Sequence, residues 1–357
     1  MTNLNQSAEK QFISQLPVKR AAYSDRMAVL MAEMSRLAYI PFEQREESAI
    51  DEIIQAIRGA ANNEEARSNL ANLKLRPSDD DRTQAKNTLK HRLASINFEL
   101  EKTYAVGDTQ AFLAKRAPIA AEKRVEPGII ILSFRGTEAT NVKDWQTNVN
   151  ARKTMARGVP VHAGFWEAFK LVQARIEADI APLIDSGHVL YMTGHSLGGA
   201  LALIATRELG NDSTGACYTF GQPRVSTYGF ARRIKTPIYR VVNASDIVPR
   251  VPPAVIPRAL LLLLRFTPFP GRSWVRNFLT EYLYVHHGDM RFLTRSKRAE
   301  DGRYPDVRVL FNPPMIDRFS WFIRDVSQRL FAPINDHAID VYYEKLVSYA
   351  MNRNSGH

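Results

Sequence analysis

The sequence holds a single cysteine, Cys217, so no internal disulfide can form. That thiol lies in the apolar run Ala216–Phe220, which reads as a buried strand and makes Cys217 a core residue rather than a nucleophile. Long hydrophobic runs are missing too. The longest aliphatic stretch, Ala259–Leu264, is bounded by Arg258 and Arg265 and falls far short of the roughly twenty residues needed to cross a bilayer. The opening stretch MTNLNQSAEKQFISQLPVKR has no apolar leader segment, which predicts a cytoplasmic or peripheral-membrane protein and leaves non-classical export open. There is no internal repeat, no zinc-ligand spacing and no phosphate-binding loop, so neither metal nor cofactor is expected. Basic residues are dispersed, without stacking or zinc motifs among them, which argues against a nucleic-acid partner.

What is present suits a globular protein. The 357 residues are 45% hydrophobic and 24% charged. Lys and Arg number 48 against 37 Asp and Glu, a net charge of +11 that favours anionic surfaces such as phospholipid.

Residues 23–42 carry Met27, Leu30, Met31, Met34 and Leu37 on one helical face. The charged stretch 43–95 follows, with helical spacing at Ile50, Ile53, Ile54 and Ile57. A cap signal at Ser78 and Asp81 opens a further helix through Leu93. No aromatic side chain lies between Phe42 and Phe98, and the stretch reads as a helical insertion. From Phe98 the character changes. Strands are predicted at Thr109–Ala114, Ile129–Phe134, Val189–Met192, Ala216–Phe220, Ile238–Val242 and Tyr282–Val285, and helices near Phe165–Leu183, Leu197–Leu209, Phe319–Leu330 and His337–Met351. This alternation predicts an α/β fold, a sheet covered by helices on both faces. No Gly/Ser-rich linker interrupts it, so 1–357 is read as one domain with insertions at 43–95 and 254–280.

The stretch VLYMTGHSLGGA (189–200) puts a serine where an apolar strand turns sharply into a helix. Gly194-His195-Ser196-Leu197-Gly198 fits G-x-S-x-G, in which small flanking residues let the neighbouring backbones approach and a strained turn exposes the serine hydroxyl. The helix that follows aims its N-terminal amides at the place where negative charge would develop, and the Leu197 N–H is one candidate donor. A serine nucleophile needs a base, and the base an orienting carboxylate. Asp246 sits at a strand end in VNASDIVPRVPP, though Glu281, Asp289 and Asp317 compete on spacing alone. His286, His287 and His337 are all candidates for the base on position.

The ordered pieces GDTQAFLA (107–114), ILSFRGTEA (131–139), VHAGFWEAF (161–169), TGHSLGGALA (193–202), YTFGQPRV (218–225), VNASDIVPRVPP (242–253) and DHAIDVYYEKL (336–346) resemble the class 3, fungal-type triacylglycerol lipases. MAEMSRLAYIPF (31–42) is similar to that family's opening helix. The resemblance implies an α/β-hydrolase fold, with Ser196 as nucleophile, Asp246 as acid and His337 as base. It also implies Thr137, in F-R-G-T, and the Leu197 N–H as the oxyanion hole. His162 is expected to be structural, and His195 to support the elbow with its ring turned away from the serine.

The implied activity is hydrolysis of glycerolipid esters at a lipid–water interface, as a triacylglycerol lipase. The alternatives are a phospholipase A1 on anionic phospholipid and, in another class, a non-catalytic lipid-binding module. Four features depart from the family pattern. They are the 43–95 insertion, a polar lid segment 138–145, the Arg-interleaved apolar stretch 254–280, and an apolar helical face of Phe319, Phe322, Ile323, Val326 and Leu330. The third suits an interfacial element or a buried helix, and the fourth core packing or a flap.

Overall fold

The computed structural model describes residues 22–42, 57, 62–72, 79–121, 124–136, 153–212, 214–251, 273, 283–314, 316–318, 320–321 and 335–354. Thr137, the lid segment 138–145, Ile50, Ile53 and Ile54, and nearly all of 254–280 lie outside them, as do Phe319, Phe322, Ile323, Val326 and Leu330.

Among the described residues, eight strands form one sheet. In chain order they are β1 (Glu99–Val106), β2 (Thr109–Arg116), β5 (Ile129–Phe134), β8 (Val189–His195), β9 (Thr214–Phe220), β10 (Ile238–Asn243), β11 (Asp289–Leu293) and β12 (Val309–Phe311), and this is also their spatial order. Strands β5, β8, β9, β10 and β11 run parallel, while β1, β2 and β12 pair antiparallel at the two edges. Two hairpins stand apart, β3 (Ile119–Ala121) with β4 (Arg124–Glu126) and β6 (Lys153–Ala156) with β7 (Val159–His162).

The parallel strands are buried on both faces, so their sequences run apolar without alternation. Ile129 and Ile131 of β5 face one layer, with Tyr191, Ala216, Tyr218 and Phe220. Ile130, Leu132 and Phe134 face the other, with Leu190, Met192 and Cys217. The first layer is covered by α1 (Asp25–Leu37) and α6 (Ile339–Asn354), and the second by α4 (Ala163–Asp185) and α5 (Leu197–Leu209). The α/β expectation is thus met.

Helix α1 is capped by Ser24, whose Oγ accepts from the Met27 N–H at 3.4 Å, and all five apolar positions read from its sequence are buried. Its polar contacts point inward to the sheet. Ser35 Oγ lies 2.9 Å from Thr193 Oγ1, Thr193 donates to the Met31 carbonyl at 3.2 Å, and Ser133 donates to the Met34 carbonyl at 3.0 Å. The described parts of 43–95 are helical, as α2 (Asn63–Asn72) and α3 (Asp79–Ala94). Helix α3 packs Leu89 and Leu93 into the first layer, and its Arg92 reaches the buried Glu33 of α1 at 3.1 Å.

Two strand readings need correction. Strand β1 was not expected. Its Glu-Leu-Glu-Lys start is only half-buried, and it forms because Gly107, at φ 53°, closes a two-residue hairpin onto β2. Tyr282–Val285 is not a strand: Val285 makes one isolated bridge to Ser226, and Tyr282 is outside the described residues. The strand lies further on, at β11, after Gly288. A Cβ at Gly288 would stand 2.4 Å from the Ile238 carbonyl oxygen, and its φ of 83° turns the chain in beside β10.

Candidate active site

Ser196 stands between β8 and α5 with φ 56° and ψ −125°, a strained conformation for a residue with a side chain. The surrounding glycines explain how the turn closes. A Cβ on Gly194 would lie 2.3 Å from the Gly198 carbonyl carbon, and one on Gly198 would lie 2.2 Å from the Phe134 oxygen. Three backbones cross where only hydrogen fits. The Ser196 N–H donates to the Phe220 carbonyl at 2.9 Å, and its own carbonyl accepts from Gly199 at 3.0 Å. Leu197 is the first residue of α5, so its amide belongs to the helix N-terminus that faces the elbow.

Strand β10 ends at Asn243, and a turn delivers Asp246, 1% exposed, ahead of a short 3-10 turn at Val248–Arg250. His337, expected as the first residue of the last helix, lies instead in the turn before α6, two residues ahead of Ile339. The structure brings it to both partners: Nε2 is 2.9 Å from Ser196 Oγ, and Nδ1 is 2.8 Å from Asp246 Oδ2. A carboxylate only accepts, so Nδ1 carries the hydrogen and Nε2 is left as acceptor for the serine proton. Gly221, at φ 57°, leaves room for the pair, since a Cβ there would stand 2.8 Å from Asp246 Oδ2 and 3.0 Å from the His337 ring.

Asp246 has two further donors. Tyr342 Oη donates to Oδ2 at 2.6 Å, and the Val248 N–H donates to Oδ1 at 2.8 Å. Burial, with Asp246 beside it, holds the Tyr342 phenol well above its ordinary range, so it stays a neutral donor. Tyr342 in turn accepts the Asn243 N–H at 3.0 Å, while the Asn243 side chain receives Lys345 Nζ at 2.7 Å and donates to the Asp336 carbonyl at 2.8 Å. Helix α6 is therefore tied to the acid loop on both sides of His337. Sequence reasoning assigned Tyr342 no part; its one signal was the tyrosine in D-H-x-x-x-x-Y.

The other candidates go elsewhere. His286 Nε2 bonds the Pro249 carbonyl at 2.6 Å and His287 Nε2 bonds Ser226 Oγ at 2.8 Å, so both brace loops. Asp289 opens β11 and accepts from Asn312 at 3.3 Å, Asp317 is exposed, and Glu281 is outside the described residues. His162 stacks on Phe165 at 4.1 Å. The ring of His195 turns away from the serine, with Nδ1 2.7 Å from Tyr39 Oη and Nε2 2.6 Å from the His337 carbonyl. Cys217 is buried, its thiol pushed up to about 12 by that burial. Thr137 itself is outside the described residues, but its neighbour Gly136 packs at the elbow, where a Cβ would lie 3.2 Å from Ser196 Cβ.

Residues 131–256 match the sequence model of the family described as Lipase (class 3). That stretch runs from β5 through the elbow to the acid loop. The chain is 40% identical over 135 residues to secreted mono- and diacylglycerol lipase 1 of Fusarium solani, covering 35% of this chain and 40% of the relative. It is 32% identical over 180 residues to a lipase of Rhizomucor miehei, 46% of this chain and 47% of that protein. The chain thus spans less than half the length of these relatives. Among solved structures, a mutant form of MDLA from Penicillium cyclopium is similar in fold, with a TM-score of 0.51 at 17% identity over 92% of this chain and 99% of that one. The fold is that of the α/β-hydrolases, and the stretch 131–256 that carries the elbow is similar to the class 3 lipases.

The cytoplasmic or peripheral-membrane placement expected from the opening stretch is corrected by the same comparison. The Fusarium relative is by name a secreted enzyme, and the polar character of the opening stretch gives no ground for a location. Among the described residues no helix is long and apolar enough to cross a membrane.

Proposed function

We propose that the protein is a serine-dependent carboxylic ester hydrolase acting on glycerolipids, with triacylglycerol as the favoured substrate. The observation that carries this reading is the buried chain Ser196 Oγ, His337 and Asp246, with links of 2.9 and 2.8 Å, at the N-terminus of α5. The relatives' names, all lipases, support the substrate class.

In this reading His337 Nε2 takes the Ser196 proton as Oγ bonds to the ester carbonyl carbon, and the carbonyl electron pair moves onto oxygen. The N–H groups of Leu197 and Thr137 hold that oxyanion. As the pair returns, the alcohol leaves with the proton from His337. Water, deprotonated by the same nitrogen, then attacks the acyl-enzyme carbonyl; the bond to Ser196 Oγ breaks, Oγ takes the proton back from His337, and the fatty acid is released. Asp246 holds the imidazole tautomer and stabilises the imidazolium formed in each half-reaction. Tyr342 and the Val248 N–H hold Asp246.

Phospholipase A1 activity is the neighbouring reading, favoured by the net charge of +11, which draws the protein to anionic lipid. The assembled triad weighs against a purely lipid-binding module. The test is fatty-acid release from triacylglycerol and from anionic phospholipid emulsions by wild type and Ser196→Ala. Release lost with the serine supports the hydrolase, and the faster emulsion selects the substrate. Equal release by the variant would overturn it.

A further inference from the structure

His195 precedes the nucleophile, is 4% exposed and takes no part in the chemistry above. Its ring is nonetheless fully engaged. A carbonyl only accepts, so Nε2 carries the hydrogen that meets the His337 oxygen, and Nδ1 accepts the Tyr39 hydroxyl proton. Burial, and after it the neighbouring His337, holds His195 well below the ordinary histidine range. A neutral ring is what the position requires. The two imidazoles lie 4.5 Å apart, and a second charge there would oppose the imidazolium that turnover forms on His337.

Tyr39 is itself held at both ends. Its N–H donates to the Arg36 carbonyl at 3.1 Å just past α1, and α1 is fixed to the sheet through Ser35, Thr193 and Ser133. Its hydroxyl fills the crevice above Gly136, where a Cβ would stand 2.3 Å away. The side chain of His337 is anchored by Asp246, and the peptide before it by the Asn243 amide on the Asp336 carbonyl; its main chain lies in a turn. The bond from His195 supplies a second anchor at the other end of the same residue. With its carbonyl held on the far side of Cα, the imidazole has less room to pivot.

We propose that Tyr39 and His195 are positioning residues for the base: a hydrogen-bond relay from the N-terminal helix to the His337 carbonyl holds the imidazole in register with Ser196. This rests on the reading of Ser196 and His337 as nucleophile and base. A misplaced base lowers the rate of the chemical steps while leaving substrate binding alone.

The experiment compares Tyr39→Phe, His195→Phe and His195→Gln with wild type on a soluble p-nitrophenyl ester. Each rate is expressed per serine titrated by a phosphonate, and thermal midpoints are recorded alongside. Ser196→Ala and His337→Ala are the controls. Tyr39→Phe should lower kcat about fivefold and His195→Phe about tenfold or more, with KM within about twofold, the size of effect expected of single buried hydrogen bonds. His195→Gln, whose amide N–H can still meet the carbonyl, should retain most of the activity. A role in stability alone would lower the midpoint and the titratable fraction but leave kcat per titrated serine at the wild-type value; that result overturns the relay. So does an equal loss in His195→Gln and His195→Phe. Wild-type hydrolysis by Ser196→Ala or His337→Ala would instead sink the underlying reading of the site. Inactive controls beside unaffected relay variants would sink the relay alone.

Discussion

Replacing His162 with phenylalanine should stabilise the protein, and should do so more strongly as the pH falls. His162 stands at the cap of α4, 6% exposed, its ring stacked on Phe165 and 6.2 Å from Tyr284. Neither ring nitrogen meets a hydrogen-bond partner among the described residues. Burial lowers its pKa to about 4, with Glu167 opposing. The unfolded chain binds the proton with a pKa of about 6.5. Between these two values the unfolded state carries more protons than the native one, so stability is full above about pH 6.5 and is lost as the pH falls towards 4. For this residue the loss between pH 7 and pH 5 is roughly 2 kcal/mol. His287, lowered to about 4 by burial and by Arg240 and Arg207, acts in the same direction.

Phenylalanine keeps the stacking surface, removes two nitrogens that have no partner among the described residues and does not titrate. His162→Phe should therefore gain about 1 kcal/mol at pH 7. At pH 5 the gap over wild type should widen by a further 2 kcal/mol or so. Urea unfolding of both proteins at the two pH values reads this directly. Parallel pH dependence in wild type and variant would refute the argument, as would an NMR titration placing His162 near 6.5.

Three further outcomes follow from the geometry. Asp246→Asn should lower kcat by about 10³ to 10⁴, because the amide cannot hold His337 in the tautomer that leaves Nε2 free; steady-state kinetics on a soluble ester checks it. Gly221→Ala should cost on the order of ten- to a hundredfold in kcat and only about 1 kcal/mol in stability, since its Cβ would intrude between Asp246 and His337 at a positive φ; kinetics and urea unfolding on the same variant separate the two effects. Leu93→Ala should cost about 2–5 kcal/mol by urea unfolding, because α3 is docked through this fully buried residue; a cost within 0.5 kcal/mol would mean that the helix is a solvated surface element.

The fold was legible where burial on both faces leaves uninterrupted apolar runs. Ile129–Phe134 and the run ending at Phe220 are strands in the sheet interior, and their neighbours fall into place beside them. Edges were harder to read. Strand β1 mixes Glu and Lys with Leu and Tyr because most of its residues are only half-buried, and the apolar, buried Leu283–Val285 stretch looks more strand-like than Asp289–Leu293. What separates the two segments is Gly288, where a positive φ and the close approach of the Ile238 carbonyl both favour a residue without a side chain.

The site shows the same division at finer grain. The spacing of Gly194, Ser196 and Gly198 is visible in sequence because the steric demand is local, a backbone crossing that tolerates no Cβ at two fixed positions around one strained residue. The partners that make the serine's neighbours competent leave no such trace. Tyr39 is 156 residues from His195, Tyr342 is 96 from Asp246, and each enters through a hydroxyl that many tyrosines could offer. Tyr342 lies on α6 and Tyr39 in the turn just past α1, and these two helices of one layer are joined by Arg36–Asp340 at 3.4 Å and Arg353–Asp25 at 2.8 Å. A perturbation that loosens this helix pair would reach His337 through Tyr39 and His195, and Asp246 through Tyr342. That makes the first-layer helices part of the device that aims the imidazole, although nothing in their amphipathic pattern distinguishes them from ordinary cover for a sheet.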